Sequence, residues 1–322
     1  MNPANGSQHR VRMITAFAVL YVLWGSTYLA MRIIVRDMPP YVAGAVRYLI
    51  AGPIMLAACA MAGRQIRLTR GDFLRLLVIS VLLLSLGNIG VLWAEEYVSS
   101  GLAALIVALV PIWVVMIEAW IFRAGRMTAQ GLVGLALGIV GLMVLLWPRI
   151  AAGTHLSRLE LFGAAILAAA SFLWALGSVF SHRFQLTVGV FAAAAWQMTL
   201  GGAVNALVAG ATGQFQHTRW SAPALEAIAY LVVCGSWMGY TAYIWLLEHV
   251  PTPKVATYAY VNPIIAVFLG WLILREKVDA YMFVGTAIII GSVALVNTSK
   301  LKRVESRPAE NAELPAVNVA GD

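Results

Sequence analysis

Apolar residues run in long unbroken stretches along this chain, and short polar segments separate them. Ten stretches stand out: Met13–Val35, Tyr41–Ala62, Phe73–Trp93, Gly101–Phe122 and Ala129–Trp147, then Leu159–Phe180, Val190–Ala211, Ala224–Leu247, Lys254–Leu274 and Tyr281–Asn297. A helix crosses the hydrocarbon core with about 20 apolar residues, so each stretch predicts a spanning helix. The stretches are continuous rather than alternating, which excludes barrel strands. The first is too long for a signal-peptide core and lacks a small-residue cleavage site, so it is expected to persist in the mature protein.

The pattern repeats. An offset of 150 residues places Trp24 on Trp174, Arg47 on Gln197 and Gly52 on Gly202. An offset of 152 places Gly87 on Gly239, Trp93 on Trp245, Glu96 on Glu248, Pro111 on Pro263 and Arg123 on Arg275. Trp, Glu and Pro coinciding at one offset is a stronger signal than Gly or Leu. Each half holds five predicted spans, an odd number, so the second half must enter the bilayer from the other side. The expected fold is an all-α polytopic membrane protein of ten transmembrane helices in two inverted five-helix repeats. Such repeats support alternating access around a midplane site. The expected divisions are a cytoplasmic tail 1–12, a first repeat 13–147, a linker 148–158, a second repeat 159–297 and a disordered cytoplasmic tail 298–322. That last segment is polar, contains Pro308 and Pro315, and has too little apolar surface to fold alone.

Composition narrows the class further. Of 322 residues, 61% are hydrophobic and 11% charged, with a mean hydropathy of +0.83. A soluble domain averages about 45–50% apolar and about 25% charged, so a soluble enzyme and a disordered protein are both excluded. The net charge of +8 comes from 22 Lys and Arg against 14 Asp and Glu. The basic residues sit in short loops without a basic stripe or RNA-binding motif, so no nucleic-acid partner is expected. With the N-terminus in the cytoplasm, 14 basic residues fall on that side and 7 on the other. The positive-inside rule then puts both termini in the cytoplasm of a cell (inner) membrane protein. Cys59 and Cys234 lie inside apolar stretches and behave as small hydrophobes.

Several residues resemble a known family. Trp24-Gly25-Ser26-Thr27-Tyr28, Pro40 and Val46-Arg47-Tyr48 are similar to the first two helices of EamA-type transporters of the drug/metabolite transporter superfamily. Ser100-Gly101-Leu102-Ala103-Ala104 with Pro111 resembles the family's fourth helix, Gly134 and Gly141 its fifth, and Asn262-Pro263 with Arg275-Glu276 its ninth. The resemblance covers residues 13–297. It implies ten helices, a central cavity, and export of amino acids or related amphipathic metabolites. One departure stands out: where the family carries a Glu near the end of its fourth helix, this chain has Arg123-Ala124-Gly125, and only the second half keeps the acid, as Glu276.

The large or polar groups inside apolar stretches are the candidate site. Trp24, Tyr28, Asn88, Trp174, Tyr240, Tyr243, Tyr258 and Asn262 are expected to line a wet, aromatic cavity that binds solute by stacking and hydrogen bonding. Interhelical hydrogen bonding is the plainer use of the same groups. Trp93 and Trp245 end their stretches and fit membrane interfaces. Arg47 lies about 9 Å inside its span at 1.5 Å per residue. It could contact a substrate carboxylate or phosphate, or snorkel and bond helix carbonyls; its place in the family pattern favours the structural use. Glu118 could carry protons, but it lies within a turn of Phe122 and can instead reach the surface or pair with Arg123. Pro111 and Pro263 are candidate hinges, since proline breaks a backbone hydrogen bond and bends a helix. Gly131, Gly134, Gly138 and Gly141 share a helix face suited to close packing, inside the monomer or between two copies.

No catalytic constellation is expected. His9, His155, His182, His217 and His249 fall in tails or loops, as do Asp37, Asp72, Asp279 and Asp322. No H-E-x-x-H or G-x-S-x-G occurs, and no cofactor or metal is implied. The reading is a carrier of a small-molecule solute in the lipid bilayer, as a monomer or homodimer. The alternatives are a structural or regulatory membrane protein and an uncoupled facilitator.

Overall fold

A computed structural model describes residues 3–122, 128–151, 157–275 and 279–298. Arg123-Ala124-Gly125, Glu276, part of the expected linker and the tail from Ser299 lie outside the described residues. Among the described residues the chain is all-helical, without strands. The apolar stretches correspond to α1 (Pro3–Ile34) and α2 (Pro40–Met61); α3 (Arg70–Ser80, a π-helical stretch Val81–Gly87, then Asn88–Ala94); α4 (Ser100–Val107 and Val110–Trp120) and α5 (Ala129–Ala151). The second half follows as α6 (Arg158–Arg183) and α7 (Val190–Ala211); α8 (Ala222–Tyr230, π-helical Leu231–Tyr240, Thr241–His249); α9 (Thr252–Val255 and Tyr258–Leu274) and α10 (Ala280–Thr298). By length and composition, α1–α3 and α6–α8 can each cross a membrane. The other four carry shorter apolar stretches.

The halves grip each other through equivalent contacts. On α2 and α7, a Cβ at Gly52 would lie 2.5 Å from the Thr199 backbone N, and one at Gly202 would lie 2.9 Å from the Leu49 backbone N. Gly52 and Gly202 are repeat mates, as are Leu49 and Thr199. The missing Cβ atoms let the two backbones touch at an antiparallel crossing. On α5 and α10, Gly138 meets Ser292 and Gly141 meets Ile289, again antiparallel. The glycine face of α5 is therefore occupied inside the chain. α1 runs beside α9 as α6 runs beside α4.

Loop details obey the same symmetry. Gly63 and Gly213, 150 positions apart, take left-handed φ values of 67° and 68° after α2 and α7. Only glycine enters that region without strain. At one end of the molecule, Asp72 on the first turn of α3 accepts from Thr187, in the α6–α7 loop, through both backbone N–H and hydroxyl. Asp72 also accepts from the helix cap Thr69 at 2.9 Å. The mates of Thr187 and Thr69 are Asp37 and Ser221. Ser221 caps α8 and donates to Asp37 at 2.6 Å, while Arg219 N–H donates to the Asp37 carbonyl at 2.8 Å. Two equivalent ties thus join the halves, one at each end.

The structure adds to the sequence pattern in three places. α1 extends beyond its apolar stretch to Pro3. The π-helical stretches of α3 and α8, equivalent under the 152 offset, carry no simple sequence signature. The prolines differ: α4 breaks at Ala108–Leu109 just ahead of Pro111, whereas Pro263 sits inside a continuous stretch of α9, whose break lies upstream at Ala256–Thr257. The helix break thus lies beside Pro111 in the first half and upstream of Pro263 in the second.

Candidate functional site

Trp24 of α1 and Trp174 of α6 meet at the centre, with ring centroids 5.5 Å apart and edge to face. Each leans on the glycine that is its mate's counterpart. A Cβ at Gly239 would lie 2.4 Å from Trp24 Nε1, and one at Gly87 would lie 3.1 Å from Trp174 Cε3. Both glycines lie in π-helical stretches. The wider turn of such stretches often marks a functional position.

Aromatic rings from the second half close around this pair. Tyr243 and Tyr258 lie 4.8 and 5.1 Å from Trp24, centroid to centroid. Trp174 Nε1 donates to Tyr243 Oη at 3.1 Å, and Tyr243 Oη also bonds Ser178. Trp24 Nε1 donates to the Gly235 carbonyl, within the π-helical stretch of α8, at 3.2 Å. Asn262, with its amide oriented to donate, reaches the Tyr21 and Tyr258 carbonyls at 3.1 Å each and so ties α9 to α1.

Polar groups from α2, α3 and α8 complete the site. Arg47 Nε donates to Ser236 Oγ at 2.8 Å, and its Nη1 reaches Asn88 Oδ1 at 3.5 Å. Tyr48 Oη donates to the same Asn88 oxygen at 2.8 Å. Across the repeat, Tyr240 Oη donates to Gln197 Oε1 at 2.6 Å. Arg47 with Asn88 and Gln197 with Tyr240 are the same pair of positions in the two halves.

These groups line a partly open cavity of about 50 Å³. Its lining includes Trp24, Tyr28, Asn88, Trp174, Tyr240, Tyr258 and Asn262, together with Arg47. Seven of the eight sequence-named candidates are thus brought together, and Tyr243 packs just behind them. Pro111 and Pro263 are not among the lining residues. At about 10–15 Å³ per water, the space holds about three to five waters. That is less than a solute's volume. A second pocket of about 250 Å³ lies between α6, α7 and α8, lined by His182, Gln185, Gln197 and Glu248 among others. Gln197 borders this pocket while bonding Tyr240 of the central cavity, so the Gln197–Tyr240 pair stands between the two spaces.

Sequence reasoning missed several participants. Tyr48, Ser236 and Ser178 hold the named residues in place; Gln197 was visible as the repeat mate of Arg47 but carried no assigned role. Glu95, fully buried at the end of α3, lies within electrostatic reach of Tyr28; its place beyond the Trp93 boundary hid it. Glu118 pairs with Arg183 of α6 at 2.5 Å, and Arg183 also covers the Phe122 ring. No group of three or more His, Cys, Asp or Glu able to hold a metal occurs among the described residues.

The EamA-like transporter family matches residues 12–147 and again 161–298, one copy on each half. The chain belongs to the EamA-like transporter family. Among its relatives is YedA of Escherichia coli (strain K12), named an uncharacterized inner membrane transporter, 33% identical over 88% of this chain and 90% of that protein. YoaV of Bacillus subtilis (strain 168), an uncharacterized transporter, is 22% identical over 91% and 99%. A solved crystal structure shares the fold, with a TM-score of 0.67 and 20% identity over 88% of this chain and 95% of that one. As an EamA member the protein is a multi-pass membrane transporter rather than an enzyme.

Proposed function

We propose that this transporter moves a small amphipathic metabolite across the inner membrane by alternating access, in the direction of export. Ten spans, arranged as inverted repeats 13–147 and 159–297 with both termini cytoplasmic, bound one central site. The observation that carries this reading is the paired contact of Trp24 with Gly239 and Trp174 with Gly87. Each half presents the same aromatic wedge to the other at the centre, so opening toward either face breaks equivalent contacts. The two end ties, Asp72–Thr187 and Asp37–Ser221, are the natural gates, one per face. With the N-terminus inside, the α6–α7 loop is cytoplasmic, and the 250 Å³ pocket above Gln197 is the cytoplasmic vestibule.

Reconstitution tests this reading. Purified protein in liposomes should exchange labelled amino acids or related metabolites with saturable kinetics and with trans-stimulation by unlabelled solute. Linear, non-saturating flux would mark an uncoupled pore, and the absence of flux across a broad solute panel would remove transport altogether.

A further inference from the structure

We infer that the solute carries a single carboxylate, bound by Arg47; this rests on the central-cavity reading above. Arg47 is 4% exposed, so it does not snorkel to a headgroup. Its recorded hydrogen bonds go to the side chains of Ser236 and Asn88, not to helix carbonyls. Both plain uses of an intramembrane arginine are thereby set aside.

Arg47 lies over the Tyr48 ring, 4.8 Å from its centroid, a contact that eases the charge without neutralising it. Among the described residues no carboxylate is named as acting on Arg47. The groups that act on it electrostatically are the phenols of Tyr48 and Tyr240, both neutral at physiological pH. A guanidinium offers five N–H donors in a planar fork. Two are engaged, both by neutral oxygens. A buried cation without a counter-charge is costly, and an arriving anion recovers that cost in the binding step. Arg47 borders the cavity, so the anion has a place to arrive.

The rest of the lining chooses among anions. Arg47 is the one cationic residue among the groups that border the cavity. A dianionic phosphate would be half-neutralised, whereas a carboxylate matches both the charge and the bidentate fork. Rings of Trp24, Tyr28, Trp174 and Tyr258 supply apolar faces for an organic substituent. Gly235 leaves room for the guanidinium, since a Cβ there would lie 2.7 Å from Arg47 Nη2. The repeat mate is the neutral Gln197, so the anionic end of the solute has one defined pole.

The test uses the full-length protein purified in detergent and a panel of matched pairs: phenylalanine and phenylalaninamide, 3-phenylpropanoate and 3-phenylpropanamide, hexanoate and hexanamide, with adenosine and phenethylamine as outliers. Binding is read by thermal shift and by quenching of tryptophan fluorescence. Each acid should bind at least tenfold more tightly than its amide in wild type. Arg47→Gln should abolish that preference while leaving weak binding of the neutral partners, and Arg47→Lys, which keeps the charge but loses the fork, should retain part of it. Amides, adenosine or phenethylamine binding wild type as well as the acids would overturn the inference while leaving a solute cavity in place. So would an acid preference that survives in a folded Arg47→Gln. Should Arg47→Gln fail to fold, the wild-type acid–amide comparison decides alone. No binding by any compound would overturn the cavity reading and this inference together.

Discussion

Trp24 and Trp174 occupy equivalent positions and lean on equivalent glycines, yet what surrounds them differs between the halves. Where the second half places Tyr243, Tyr258 and Asn262, the first half has Val91, Ile106 and Val110 at the matching positions. Where the first half places Arg47 and Tyr48, the second has Gln197 and Met198. Backbone features follow the opposite rule: the Gly52 and Gly202 crossing, the left-handed Gly63 and Gly213, the π-helical stretches and the end ties all match. Symmetry is kept where two helices must touch or a loop must turn. Apart from the Trp24–Trp174 pair, it is abandoned among the side chains in and just behind the cavity wall. A carrier needs matched halves to open toward either face with similar ease, but a solute without two-fold symmetry needs one cationic pole and one aromatic wall.

The comparison breaks most sharply at Arg47. Arg47→Gln is expected to lower solute uptake efficiency by about 100-fold, equivalent to about 2.7 kcal/mol, whereas Gln197→Met at the matching position should cost less than about tenfold. Initial-rate transport in proteoliposomes measures both, and equal losses would mean that the two poles are interchangeable.

Packing comes next. Gly52→Val and Gly202→Val should each destabilise by about 1–3 kcal/mol through overpacking at the crossing, while Gly210→Ala, with open space around it, should be silent. Thermal unfolding followed by size exclusion reports the differences. Tolerance at one crossing glycine but not its mate would break the matched-skeleton half of the comparison.

The end ties should show opposite signs. In a Cys59→Ala/Cys234→Ala background, a reporter cysteine at Ser171 in the cavity lining should become more reactive from the cytoplasm in Asp72→Ala and from outside in Asp37→Ala. Each variant removes charge-assisted hydrogen bonds worth about 1.5–3 kcal/mol, so labelling rates should rise several-fold. Rates rising from the same side in both variants would remove the gate assignment.

The smallest effect is expected at Glu118→Gln. Its partner Arg183 is 34% exposed, so the pair contributes less than about 1 kcal/mol. A shift in thermal stability of a few degrees at most, with an unchanged pH profile of transport, checks this.

Much of this was legible in the sequence, for physical reasons that also mark its limits. The helices followed from unbroken apolar stretches, with Val190–Ala211 matching α7 end to end. The candidate residues Trp24, Tyr28, Asn88 and Trp174 stood out because a large or polar group in an apolar helix must find a partner. Partner identity was not legible. Glu118 bonds Arg183, 65 residues away, a partner set by the packing of α4 on α6; Arg123 lies outside the described residues. The π-helical stretches at Gly87 and Gly239 escaped notice, since a single extra residue per turn leaves no mark in an all-apolar run. Glu95 escaped because a charge next to a helix end resembles a loop residue until packing buries it.

The inverted arrangement of the halves is tested most directly at Arg67 and His217, exposed mates 150 positions apart in the loops after α2 and α7. Arg67→Cys and His217→Cys in the cysteine-free background would be labelled with a membrane-impermeant maleimide in right-side-out and inside-out vesicles. An inverted repeat puts Arg67→Cys within reach only from the cytoplasmic face and His217→Cys only from the outer face. Both positions reacting from one face would mean that the halves share an orientation, and the two-fold carrier described here could not exist.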